Sequence, residues 1–228
     1  LITIAGKVDI KALKTYFKSY EQKFPNKDIK PKTIYPNEPK RIRVRKMIQY
    51  KPIGIPKMML GFKLVPRKLK PLEQIKRELS MAMMTNFLLG SSSVVYEELL
   101  KKGLINQNFY ITTNFEYRAE SIILSAETKN LYALKRLLVD VLTKNGEKYF
   151  TEEAFERYKK VYMGQFIYAL NNVEHKAYLY GKYYHMGANL FDVVTVLKDL
   201  TLQDILDAYG ELTEKNMSTL FYKKGPFK

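Results

Sequence analysis

Apolar residues in this chain recur with two different periods. Ile10, Leu13, Phe17, Tyr20 and Phe24 return every three or four positions behind Asp9, a good helix cap, and Pro25 ends the run. The same spacing predicts a helix from Leu72 through Ile75, Leu79, Ala82 and Met83 to about Leu89. Another is predicted over Leu131, Leu134, Leu138, Val141 and Leu142. Thr151 caps the next, whose first turn carries Glu152 and Glu153 where the helix dipole favours negative charge. Helical character continues past Tyr184, with a break near Asn171-Asn172, and Thr201 with Asp204 opens a last helix.

Period two appears elsewhere. At Arg41–Arg45, Ile42 and Val44 fall on one face and the arginines on the other. After Pro52, Gly54 and Pro56, Lys57–Val65 reads as the second strand of that pair. Asn108–Tyr117 places Phe109, Ile111, Thr113, Phe115 and Tyr117 on one face, and Ser121–Lys129 does the same with Ile122, Leu124 and Ala126. Leu1–Val8 and Asn216–Lys223 bring the expected strands to six, and the proline-rich stretch 25–40 reads as an extended loop.

Strands in runs that alternate with runs of helices predict an α+β fold in one domain, residues 1–228. Its mostly antiparallel sheet of about six strands is covered by helices on one face. Ile42 and Val44 are then expected in the helix-covered core, with Arg41, Arg43 and Arg45 on the opposite face or its rim.

Composition narrows the chemistry. With 228 residues, 46% of them hydrophobic, a full core is affordable, and no run of about 18 apolar residues suggests a membrane span. The absence of cysteine excludes disulfides, thiol catalysis and thiolate-bound zinc, and a cytoplasmic location in a bacterium is expected. Starting at Leu1 inside an expected strand, the chain reads as a fragment or processed product. The net charge of +16 is concentrated early: residues 1–70 hold 19 Lys and Arg against 4 Asp and Glu, residues 71–228 hold 20 against 19. Arg41, Arg43 and Arg45 are the candidate anion-binding face, although charge on an edge strand also serves to prevent edge pairing. No nucleic-acid reading motif accompanies them, so nucleic acid is not the expected partner.

His175 and His185 are the two histidines, ten positions apart, whereas a helical zinc pair is three or four apart. No phosphate-binding glycine loop is present, and Ser91-Ser92-Ser93 lacks the flanking glycines of a nucleophile elbow.

One segment carries more information than the rest. Asn86-Phe87-Leu88-Leu89-Gly90-Ser91-Ser92-Ser93, followed by Glu97-Glu98-Leu99-Leu100-Lys101-Lys102-Gly103-Leu104, resembles the signature of the later half of pitrilysin-type zinc metallopeptidases, which include insulysin and the mitochondrial processing peptidases. Thr3-Ile4-Ala5-Gly6-Lys7-Val8-Asp9, Gly164-Gln165-Phe166, Ala169-Leu170-Asn171-Asn172 and Leu200-Thr201-Leu202-Gln203-Asp204-Ile205 match the family in the same order. The inverted zinc motif H-x-x-E-H is absent.

The resemblance implies a processing-peptidase-like domain that forms one wall of a peptide chamber, holds no catalytic or metal residue, and works opposite a zinc-bearing N-terminal half. A related subunit, or a second copy, is a further implied partner. Leu100 stands where the family carries an arginine, with Lys101 next to it, and Asn106 stands where it carries a tyrosine. Leucine cannot stabilise an oxyanion. Leu100, Lys101, Asn106, Phe109 and Ile111 are the candidate chamber contacts. Two alternatives remain, a basic anion- or nucleic-acid-binding module and an inactive scaffold relative of the peptidases.

Overall fold

The structure is a computed structural model that describes residues 1–23, 34, 38–116 and 119–226. Phe24, Pro25 and most of the loop at 25–40, including Tyr35, lie outside the described residues, as do Tyr117 and Arg118 of the hairpin turn.

The described chain groups into two compact units, residues 1–37 with 164–190, and residues 38–163 with 191–228. The second unit holds the sheet. Its strands are β1 (Lys46–Lys51), β2 (Lys57–Leu64), β3 (Tyr110–Glu116), β4 (Ala119–Glu127) and β5 (Met217–Lys224). Their order is β1-β5-β2-β4-β3, with β1 parallel to β5 and every other pair antiparallel. β2 alternates fully: Met58, Leu60, Phe62 and Leu64 are buried, while Lys57, Met59, Gly61 and Lys63 are half-buried. In register, Leu60 lies between Leu124 of β4 and Thr219 of β5, so this face is closed by helices, while the other, with Met59 and Ile123, is half-buried.

The closing helices follow the period expected of them. α2 (Pro71–Leu89) buries Ile75, Leu79, Met83, Met84 and Leu88, and α4 (Leu131–Thr143) buries Leu134, Leu138 and Leu142. Each such side chain contributes roughly 1.5–3 kcal/mol by leaving water. α3 (Val94–Lys101), α7 (Asp192–Asp199) and α8 (Leu202–Gly210) complete the layer. Phe87 of α2 stacks on Tyr158 of α5 (Glu152–Ala169) with ring centres 4.7 Å apart, and lies 5.0 Å from Phe150. Thr201 and Asp204 form the expected capping box of α8.

In the first unit, Asp9 caps α1 (Ile10–Lys23) by accepting from the Lys11 and Ala12 N–H groups at 2.9 and 3.1 Å. Asn172 caps α6 (Val173–Met186), which places the helix break where the two asparagines predicted it.

Three sequence expectations are corrected. Leu1–Val8 is not a strand, so five strands rather than six form among the described residues. β-branched composition cannot make a strand without a hydrogen-bonded neighbour, and none among the described residues pairs with it. Residues 41–45 are extended but precede the strand, which starts at Lys46. β5 inserts between β1 and β2, so these two are not a pair. Consequently Ile42 is only half-buried and Val44 is 41% exposed, outside the helix-covered core.

Candidate functional site

The signature segment is a helix, a hinge and a second helix, each stop being locally encoded. Gly90 closes α2 through its N–H to Asn86 O at 2.7 Å; a Cβ there would lie 2.4 Å from that oxygen, so only glycine fits. The Ser93 hydroxyl then accepts from the Tyr96 N–H at 3.0 Å and starts α3. At the far end Gly103 adopts φ +62°, with its N–H on Leu100 O and the Leu104 N–H on Leu99 O, both 2.9 Å. These two bonds are a Schellman stop, and they turn Leu104 and Ile105 inward, where both are buried.

The five candidate contacts do not form one cluster. Leu100, 42% exposed, and Lys101, paired with Glu97 at 2.6 Å, both stand on α3. Asn106 and Phe109 come together in the turn before β3, the Phe109 N–H donating to Asn106 O at 3.2 Å. Phe109 is buried, its ring 5.9 Å from Tyr96 of α3. Ile111 is half-buried and pairs with Leu124, which puts it on the helix-covered face of the sheet.

Near the turn, Glu127 accepts from Asn108 Nδ2 at 2.8 Å and Asn106 Nδ2 at 3.4 Å, with Lys57 Nζ at 3.6 Å. The Asn108 and Asn106 amides, more than Lys57, hold the Glu127 carboxyl below the usual carboxylate range. A carboxylate kept charged in this way is a poor proton acceptor near neutral pH. Its role is to fix the turn.

Arg41, Arg43 and Arg45 lie on an extended strap ahead of β1, all three exposed. Lys63 binds Glu38 and the Pro39 carbonyl at one end of the strap. At the other end Ser218 Oγ donates to Val44 O at 2.6 Å and the Thr219 N–H to Arg45 O at 3.0 Å. Between strap and half-buried sheet face lies a cavity of about 890 Å³, bordered by Arg41, Ile42 and Arg43 above and by Gly61, Lys63 and Ile123 below.

A buried ion network was not foreseen. Arg77 of α2, its side chain 6% exposed, reaches Glu120 of β4 through Nε at 3.0 Å and Glu211 after α8 through Nη2 at 2.7 Å; Arg67 also meets Glu211 at 2.9 Å. Burial works against the Arg77 charge, but the Glu211 and Glu120 carboxylates outweigh it and hold its proton more firmly than usual. The readable signal was Glu120 itself, which falls in phase with Ile122, Leu124 and Ala126 on the closed face.

His175 and His185 sit on α6, their rings beside Tyr178 and Tyr184 at 6.4 and 6.1 Å. Among the described residues no three His, Cys, Asp or Glu side chains gather to hold a metal ion.

A family model described as the peptidase M16 inactive domain matches residues 1–162. This chain belongs to the peptidase M16 inactive-domain family. The resemblance read from residues 86–106 is therefore real, and it extends beyond them. The M16 chain is 33% identical over 215 residues to the uncharacterised zinc protease YmfH of Bacillus subtilis, covering 92% of this chain and 49% of that relative. It thus spans about half the length of the curated relative. Among solved structures, an M16-like protein from Alicyclobacillus acidocaldarius superposes with a TM-score of 0.83 at 22% identity, over 96% of this chain and 53% of that one. A protease from Helicobacter pylori gives 0.81 at 21%, over 96% and 53%. At these identities the two structures establish the α+β fold, not an activity. No α-helix among the described residues is long and apolar enough to cross a membrane.

Proposed function

We propose that this M16 domain is the non-catalytic later half of a zinc peptidase and forms one wall of a peptide-binding chamber opposite a zinc-bearing half. One observation carries the reading: 92% of the chain aligns with about half of a zinc protease, while the sequence has no H-x-x-E-H. The fold suits the task. One sheet face is only half-buried, and among the described residues β3 is an edge strand with a single neighbour, to which an extended peptide can add as a further strand.

The unit of residues 1–37 and 164–190 supports a covering partner. About half of the exposed large apolar side chains (14 of 27 among the described residues) belong to it, including Leu1, Ile2, Ile10 and Tyr16. Only Tyr183 and Leu190 of its described residues are buried. A unit with so small a core and so apolar a surface requires cover. The zinc-bearing half supplies it, and a strand of that half pairs with Leu1–Val8. Leu100 and Lys101 on α3 face the chamber, and a related subunit brings the arginine and tyrosine that a second copy, with the same Leu100 and Asn106, cannot supply. We place the protein in the bacterial cytoplasm, which cell fractionation tests.

The deciding experiment compares the 228-residue chain with the full-length protein on quenched fluorescent peptides, with metal analysis of both. Bound zinc is expected in the full-length protein and not in the 228-residue chain, and chelator-sensitive cleavage is expected from the full-length protein together with the related subunit. Chelator-sensitive turnover by the 228 residues, or a full-length protein without H-x-x-E-H, overturns the reading.

A further inference from the structure

We infer that the cavity beneath the Glu38–Arg45 strap is a binding site for extended acidic peptide, with carboxylates held at its mouth and an apolar side chain seated on its floor. The inference rests on the reading of the chain as a peptide-handling half, and it adds a site and a charge preference to it. The cavity, at about 890 Å³, falls within the range of roughly 300–1,000 Å³ typical of ligand sites.

Its chemistry is amphipathic. Ile42 and Val44 of the strap and Ile123 of β4 supply apolar lining, and Gly61 leaves the floor open. Arg41 and Arg43 supply charge, and among the described residues neither enters an ion pair. The two carboxylates on its border are already taken, Glu38 by Lys63 and Glu120 by Arg77. Two uncommitted guanidinium groups above an apolar floor are complementary to carboxylates that flank an apolar residue. Pinned at Lys63 and Ser218, the strap holds this arrangement before any ligand arrives, which reduces the ordering cost of binding.

The site also lies on the half-buried sheet face rather than among the candidate contacts on α3. A peptide held here is therefore anchored away from the signature segment.

The test uses the 228-residue chain and fluorescence anisotropy with two labelled hexapeptides, one alternating Leu and Glu, the other alternating Leu and Lys. The Leu-Glu peptide is expected to bind and the Leu-Lys peptide to bind at least about tenfold more weakly. Arg41→Glu with Arg43→Glu should weaken the Leu-Glu complex by a similar factor and lessen its salt dependence. Gly61→Val tests the floor without charge. A Cβ at Gly61 meets only the Ile122 carbonyl, at 3.9 Å, so the fold is kept while the cavity is filled, as circular dichroism verifies. This variant too should bind about tenfold more weakly.

Equal affinity for the two peptides, or Leu-Glu binding unchanged in both variants, overturns the inference. Zinc-dependent cleavage by the full-length protein together with the related subunit, without any acid preference, sinks this site and leaves the peptidase reading standing. Acid-selective binding by the chain, with a full-length protein that stays inert beside the related subunit, does the reverse.

Discussion

Replacing Arg77 by methionine should be among the most damaging single changes in the sheet-bearing unit. The methionine keeps much of the apolar stem but removes both contacts to Glu120, whose side chain is 3% exposed, and leaves that carboxylate without its ion partner. Glu211, 18% exposed, retains Arg67 and suffers less. Breaking one side of a buried pair costs about 3–5 kcal/mol, chiefly because the surviving charge is uncompensated. Domains have about 5–15 kcal/mol in all, so about a fifth or more of the stability is at stake. At roughly 2–4 °C per kcal/mol for a chain of this size, Tm should fall by about 6–20 °C.

The assay is urea unfolding followed by circular dichroism, with thermal melts alongside. A second variant separates charge from packing. Adding Glu120→Leu to Arg77→Met removes the orphaned carboxylate, and an apolar pair of similar volume often matches or exceeds the ion pair it replaces. The double variant should therefore recover most of the loss. An Arg77→Met cost below about 1 kcal/mol, or a double variant as unstable as the single one, refutes this account of the network.

Local geometry sets three further outcomes. Tyr209→Phe removes a buried hydroxyl that accepts from the Gly146 N–H at 2.9 Å and donates to Val141 O at 3.1 Å; thermal melts should show a cost of about 1–3 kcal/mol for each group orphaned. Asp204 is partly desolvated, which raises its pKa, but Lys76 and Thr201 together hold its carboxyl below the usual value. The stability it contributes is complete above its unfolded value of about 4 and is lost as pH falls through the lower folded value; Asp204→Ala should cost about 1 kcal/mol at pH 7 and flatten the acid limb of a pH–stability curve. The purified 228-residue chain should carry no stoichiometric zinc, and a chelator should leave its Tm unchanged, both read by metal analysis and calorimetry.

Local rules made the helix boundaries legible, because each boundary is written in the residues that form it. Asp9, Ser93, Asn172 and Thr201 cap the helices that begin after them, and Gly103 stops α3 with a left-handed turn. The same holds for Lys57–Leu64 and Ala119–Glu127, whose alternation selects the closed face. Pairing is a different matter. Ile42 and Val44 alternate with arginines as a strand would, but alternation states only which side chains share a face, not which neighbour takes the backbone bonds. β5, more than 150 residues further along the chain, takes the place beside β2, and that choice has no local signature.

The candidate site divides along the same line. The segment of residues 86–105 was recognisable as a family signature because it is contiguous. The strap cavity was readable only as a row of three arginines, since its floor comes from Gly61 and Ile123 on two other strands. Leu1–Val8 is the instructive failure. Its residues have every strand attribute except a partner among the described residues, and of the described residues in its unit only Tyr183 and Leu190 are buried. The proposed two-half arrangement accounts for both facts at once. A stretch that reads as strand yet finds no partner among the described residues, in the same unit as an amphipathic helix whose Ile10 and Tyr16 face water, is the surface a zinc-bearing half would cover. On that reading the strand propensity of Leu1–Val8 is satisfied by a neighbour outside these 228 residues, and local sequence alone cannot name it.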